Sequence, residues 1–120
     1  MITNNSDKNG LIVHICKHGD WEQATSRSAY QADSLFSEGF IHCSQPGQVL
    51  EVANRFFAQE QDLVLLWLDP KLVQADIRWE PADGLFFPHI YGPINLEAVK
   101  AVKRFKPDSD GIFRQLPGSD

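Results

Sequence analysis

A chain of 120 residues, 42% of them hydrophobic and 13 of them aromatic (three Trp, two Tyr, eight Phe), has apolar mass for one core and too little length for a second domain. Its net charge of −5, with 11 Lys and Arg spread along the chain apart from Lys100, Lys103, Arg104 and Lys106, disfavours nucleic acid as the main partner. No apolar run reaches the roughly 20 residues that span a bilayer, and the polar start lacks the apolar centre of a signal peptide, so the expectation is a cytoplasmic protein with no membrane partner.

Residues 1–10 have no periodicity and too little apolar surface to offset the entropy of ordering them, which predicts a disordered tail. Leu11 to Cys16 is a short β-branched run, read as the first strand, with His14 on the face of Ile12 and Cys16. Asp20 followed by Gln23 resembles a capping box and predicts a short helix over Trp21 to Arg27 with Trp21 and Ala24 inward. Tyr30 to Leu35 reads as a second strand or an extended connection.

Glu38-Gly-Phe-Ile-His-Cys-Ser44 joins an acid, a glycine hinge and an alternating strand. Strand periodicity puts Phe40, His42 and Ser44 on one face and Ile41 and Cys43 on the other. Pro46 opens a helix at once, leaving Ser44 at a strand-to-helix junction suited to capping or to holding an anion or ribose. That helix carries Val49, Ala53 and Phe56 at helical spacing, broadened by Leu50 and Phe57, and is expected to end near Gln59.

Leu63 to Leu68 is wholly apolar and closed by Asp69-Pro70, the pattern of a central strand buried on both faces. Ile77 to Glu80 alternates, with Pro81 expected to stop it; Ala82-Asp83-Gly84 signals a turn; Phe87, His89 and Tyr91 share a face of the next strand, which Pro88 is expected to confine to an edge or a bulge. Gly92-Pro93 ends that strand, and residues 96–105 fit both strand and helix spacing, with the strand slightly favoured. The Pro-, Gly- and acid-rich residues 107–120 are expected to be a C-terminal tail, so the chain reads as a single α+β domain over residues 11–106.

Cys16 and Cys43 are only two and lie in apolar runs, as buried free thiols do. The His and Cys spacings match no closed zinc site, so no metal is expected, and no glycine-rich phosphate loop is present. The four histidines read singly as hydrogen-bonded core-edge residues, yet the imidazoles of His42 and His89, the Ser44 hydroxyl and the Tyr91 phenol are together more polar function than a core accepts without use. They predict a cleft for a small-molecule ligand lined by His42, Ser44, His89 and Tyr91, with His14 and Glu80 at its margin. Glu80 either pairs with Arg78 or Lys71 at the surface or, desolvated by Trp79, holds a proton as a general acid.

Through Glu38-Gly-Phe-Ile-His-Cys-Ser44, Trp79-Glu80-Pro81 and Phe87-Pro-His-Ile-Tyr-Gly-Pro93, the chain resembles the bacterial domain of unknown function 952 family from about Leu11 to Phe105. The resemblance implies a mainly antiparallel split sheet with a few short helices, of the ADP-ribosyltransferase-like fold group, whose active relatives hold NAD in a cleft. It implies His14 for the ribose, Ser44 or behind it Tyr91 near nicotinamide, and Glu80 near the scissile bond, with NAD as substrate and no cofactor identified. His42 and Glu80 are the candidate catalytic residues, and His14, Ser44, His89 and Tyr91 the ligand-binding ones. Nicotinamide would leave through an oxocarbenium-like transition state stabilised by a carboxylate, as in glycoside cleavage. The alternative is a noncatalytic module recognising a nucleotide or sugar.

Overall fold

A computed structural model describes residues 10–119, so nearly all of the predicted N-terminal tail lies outside the described residues. Eight strands and three short helices follow in order: β1 (Ile12–Lys17), α1 (His18–Thr25), β2 (Ala29–Tyr30), α2 (Asp33–Ser37), β3 (Ile41–His42), α3 (Val49–Phe56), β4 (Leu63–Leu68), β5 (Asp76–Ala82), β6 (Leu85–Tyr91), β7 (Ile94–Asn95) and β8 (Val99–Phe105). Single 3₁₀ turns precede α3 at Pro46–Gln48 and β8 at Leu96–Ala98.

The strands form one α+β domain of antiparallel sheets: β1-β4-β8, β3-β6-β5 and the two-stranded β2-β7. β4 is central in the first sheet and buried along its whole length, as its unbroken apolar run requires. Its residues alternate between two apolar layers. Val64, Leu66 and Leu68 join Ile12, Cys16, Tyr30, Ile41, Cys43, Ile90 and Ile94, while Leu63, Leu65 and Trp67 join Val13, Val49, Ala53, Phe105 and Phe113. The first layer lies between β1-β4-β8 and the inner face of β3-β6-β5, and α3 covers the second. Residues 41–44 tie the two large sheets together, because Val13 and Ser44 exchange backbone hydrogen bonds of 2.8 Å in both directions.

Local chemistry explains where the chain departs from its sequence pattern. α1 starts at His18, directly after β1, with no side-chain cap; Asp20 falls inside its first turn rather than before it. Tyr30 belongs to a two-residue strand, and Asp33–Ser37 is helical rather than extended. Phe56 is 63% exposed although its spacing matches Val49 and Ala53, because α3 ends at Phe56 and the non-helical Phe57 turns inward instead.

Pro81 and Pro88 both sit in strands. β5 runs through Pro81 to Ala82, which an edge strand tolerates because the absent N–H faces no partner. β6, expected at an edge or with a bulge, is central and pairs in continuous register. The Pro88 carbonyl accepts the Cys43 N–H at 3.1 Å, and since the N–H and C=O of one extended residue point the same way, the ring nitrogen faces β3 where β3 is leaving for β1. Asp83 and Gly84 have φ of 53° and 81°, the double left-handed turn that joins two twisted strands through two residues.

The segment after β8 contributes to the core beyond the expected boundary at residue 106. Phe113 is 2% exposed and packs on Phe105 at 4.6 Å between ring centroids, and Asn54 clamps its backbone, Nδ2 donating to the Phe113 carbonyl at 2.9 Å and Oδ1 accepting its N–H at 2.7 Å. Apolar contact carries this anchor, so Phe113→Ala should cost about 3–5 kcal/mol in urea unfolding. A chain ending at residue 106 should unfold at a lower temperature; equal stability of the truncated and full chains would show the segment to be dispensable.

Candidate functional site

The β3-β6-β5 sheet has two unlike faces. Ile41 and Ile90 are paired across β3 and β6 and buried at 0% exposure, with Ile77 of β5 packed against the same layer. Period-two alternation therefore turns His42, His89, Tyr91, Arg78 and Glu80 to the opposite face, where the register sets His89 beside both His42 and Arg78. Gly39, at φ 93°, lets the chain turn from α2 into β3 and brings Phe40 onto that face.

These side chains form one connected cluster. Phe40 stacks on His89 with centroids 4.2 Å apart and planes 20° apart, and it also meets Tyr91 at 5.3 Å and His42 at 4.8 Å. His42 and His89 pack edge to face at 5.4 Å. Glu80 Oε1 accepts two hydrogen bonds, from the Tyr91 hydroxyl at 2.6 Å and from His89 Nδ1 at 2.7 Å. His42 Nε2 lies 3.1 Å from Glu38 Oε1. The Arg78 guanidinium covers the Tyr91 ring at 4.3 Å, and its Nε donates to Asp76 Oδ2 at 2.9 Å.

The hydrogen bonds from Tyr91 and then His89 hold the Glu80 carboxyl below the usual carboxylate range, and the same bond to Glu80 raises the Tyr91 phenol. Glu80 is thus an anion at neutral pH, with Oε2 left outside both bonds. A protonated Glu80 made by Trp79 does not form: Trp79 alternates to the other face of β5, and the two donors outweigh desolvation. Because His89 donates from Nδ1, a neutral His89 ring carries its lone pair on Nε2.

The sequence-derived residues divide into two groups. His42, His89, Tyr91 and Glu80 are brought together, and Glu80 sits at the centre rather than the margin. His14 and Ser44 are 6% and 5% exposed and lie behind the sheet. Both nitrogens of His14 are engaged: Nδ1 donates to the His42 carbonyl at 2.6 Å, leaving Nε2 to accept from the Tyr30 hydroxyl at 2.9 Å. Burial lowers His14 to about 4, so the ring is neutral. Ser44 does not cap the following helix; Gln45 precedes the turn, its N–H donating to Gln48 Oε1 at 2.8 Å.

Phe40 and Arg78 join the cluster without being among the residues the sequence pattern singles out. Strand parity already put Phe40 with His42 and Arg78 with Glu80, but only the β5–β6 register sets Arg78 next to Tyr91. Among the described residues no three His, Cys, Asp or Glu side chains are grouped to hold a metal ion. Cys16 and Cys43 are free and buried, with burial pushing Cys16 up to about 12 and raising Cys43 as well.

A family model described as "Protein of unknown function (DUF952)" matches residues 15–102, most of the chain and every strand of the cluster. The chain belongs to this DUF952 family. A crystal structure of protein CC0527 from Caulobacter crescentus is similar to this DUF952 chain with a TM-score of 0.80 and 29% sequence identity over 87% of this chain and 93% of that one. A solution NMR structure of the same protein gives a TM-score of 0.75 at 29% identity, covering 87% and 91%. No curated protein matches the chain significantly. No helix among the described residues is long and apolar enough to cross a membrane.

The buried His14 makes stability depend on acid. Its fold-state value of about 4 lies below the 6.5 of an exposed His, so between these pH values the unfolded chain binds the proton and the folded one does not. Stability should fall by about 3 kcal/mol as pH drops through that window and lose nothing further from this group below it. Urea unfolding at pH 7 and pH 4 should show the loss in the parent protein and a much smaller one in His14→Gln; identical losses would show that His14 is not the group responsible.

Proposed function

We propose that this DUF952 protein binds a nucleotide, with NAD the first candidate, on the outer face of β3-β6-β5 and cleaves its nicotinamide–ribose bond by ADP-ribosyl-transfer-like or glycohydrolase-like chemistry. The observation that carries the reading is the Glu80 carboxylate. Tyr91 and His89 fix Oε1, keep the group ionised and leave Oε2 as a preorganised negative charge. Such a charge stabilises an oxocarbenium-like centre on the ribose more than the bound substrate, whose positive charge lies on the nicotinamide ring until the bond breaks, and that difference lowers the barrier. Glu80 is the catalytic carboxylate in this reading. His42, half exposed and paired with Glu38, is the candidate acid–base partner for the incoming acceptor, and the Phe40–His89 stack with Tyr91 offers aromatic faces for a base or nicotinamide ring.

His14 and Ser44 act from behind, His14 by holding the His42 carbonyl and Ser44 by tying β3 to β1. Two antiparallel three-stranded sheets bridged by residues 41–44 support an ADP-ribosyltransferase-like grouping. Two free thiols fit the reducing, cytoplasmic setting that belongs to the same proposal.

Nicotinamide release from NAD, followed by chromatography, is the test. Glu80→Gln should lower the rate by roughly 100-fold or more while ADP-ribose still raises the melting temperature, and His42→Ala should weaken turnover with the fold intact. Because Glu80 is held below the usual carboxylate range, the part of the rate that depends on its charge, read as the ratio of parent to Glu80→Gln, should persist as pH falls to that range and be lost only beneath it. Release that survives in Glu80→Gln would sink the mechanism. A melting shift with no release in the parent protein would instead support the noncatalytic nucleotide-binding module.

A further inference from the structure

The arginines of this chain that pair with carboxylates are not all held alike. Arg55 reaches Asp83 through Nη1, Arg104 reaches Asp62 through Nη1, and Arg114 grips Asp108 and Asp110 with both terminal nitrogens. In each, the terminal fork is directed at a carboxylate. Arg78 engages Asp76 through Nε, and its guanidinium plane rests over the Tyr91 ring. The side bond and the ring together fix the direction of the group while its Nη edge, the edge that matches two oxygens of one anion, is not committed to a carboxylate among the described residues.

The placement of this edge is informative. Tyr91 carries Arg78 over its ring and donates its hydroxyl to Glu80, so one phenol separates a directed cation from an anionic carboxylate. With Asp76, Glu80 and Glu38 around the face and a net charge of −5, a ligand bearing negative charge needs a local cation to enter. A neutral ligand would not.

We propose that Arg78 is the specificity-determining residue of the site and takes a phosphate group of the substrate, selecting phosphorylated nucleosides over neutral ones. This rests on the reading of the β3-β6-β5 face as the ligand site. A phosphate seated on the Nη edge holds the molecule by its charged end. Glu80 Oε2 is then left to meet a cationic centre that develops one ring-width away.

Inorganic pyrophosphate, ADP-ribose and adenosine are the probes, with binding followed by amide shifts in NMR and by melting temperature at low salt. The parent protein should bind pyrophosphate at millimolar concentration and perturb residues of β5 and β6. Arg78→Gln should weaken pyrophosphate and ADP-ribose roughly tenfold or more without changing adenosine, and Arg78→Lys should recover part of the loss because charge remains while the fork is gone. Asp76→Asn should tighten pyrophosphate, because the amide oxygen can still accept from Nε while the negative charge that repels the anion is gone. Arg78 is largely exposed, so its variants should keep the parent's circular dichroism and melting temperature without ligand.

Pyrophosphate that fails to bind at tens of millimolar, or binds equally to Arg78→Gln, overturns the inference. Nicotinamide release whose KM is unmoved in Arg78→Gln also overturns it, while leaving the proposed reaction standing. Arg78-dependent pyrophosphate binding without any nicotinamide release has the opposite meaning: the anion site holds and the proposed reaction falls.

Discussion

The reciprocal backbone hydrogen bonds between Val13 and Ser44 are the constraint on which the remaining structure depends. They join the edge of β1-β4-β8 to the edge of β3-β6-β5, and so decide that Ile41, Cys43 and Ile90 enclose the same apolar layer as β1 and β4. Once that layer is filled, the pleat leaves His42, His89, Tyr91, Arg78 and Glu80 nowhere to go but the opposite face. The His14 ring reinforces the joint by donating from Nδ1 to the His42 carbonyl, while its Nε2 accepts from the Tyr30 hydroxyl, an acceptance open only to the neutral ring. Core packing and site geometry are two consequences of one strand junction.

The outer face keeps its polar groups because each has a partner. Glu80 meets two donors, His42 meets Glu38, Arg78 meets Asp76 and the face of Tyr91, and Phe40 covers the His89 ring. A carboxylate with 35% of its side chain exposed is only partly screened by water, so fixing its orientation costs little desolvation and preserves a usable charge. The same economy distinguishes His89, 10% exposed and locked, from His42, which is half exposed and can meet a ligand. Membership of DUF952 and the likeness to CC0527 establish the shared fold, while chemistry has to be argued from these side chains.

Where sequence reasoning and structure part company, the competing interaction is identifiable. Phe56 matched the helical stripe, but a periodicity argument presumes that the helix continues, and it ends there. Pro88 argues for an edge strand or a bulge, but β3 is only two residues long and departs at the point where the missing N–H would have been required. Phe113 sits in a stretch whose composition resembles a tail; Asn54, 59 positions away, makes it part of the core.

Local pattern was enough to establish the buried β4 strand, the alternation that separates Ile41 from His42, the Asp83-Gly84 turn and the motifs that mark the family, because each depends on neighbours within a few residues. It also assembled four of the cluster's members, His42, His89, Tyr91 and Glu80, as a list of chemical groups. Only the tertiary structure decided that Glu80 stands at the centre with both donors on one oxygen, that His14 and Ser44 serve from behind the sheet, and that Arg78 lies over Tyr91. Those outcomes depend on strand register and on which edge of one sheet meets the other. The Asp83-Gly84 turn fixes the β5–β6 register, whereas the β1–β3 and β3–β6 junctions pair residues tens of positions apart, and the alternation within a strand encodes neither.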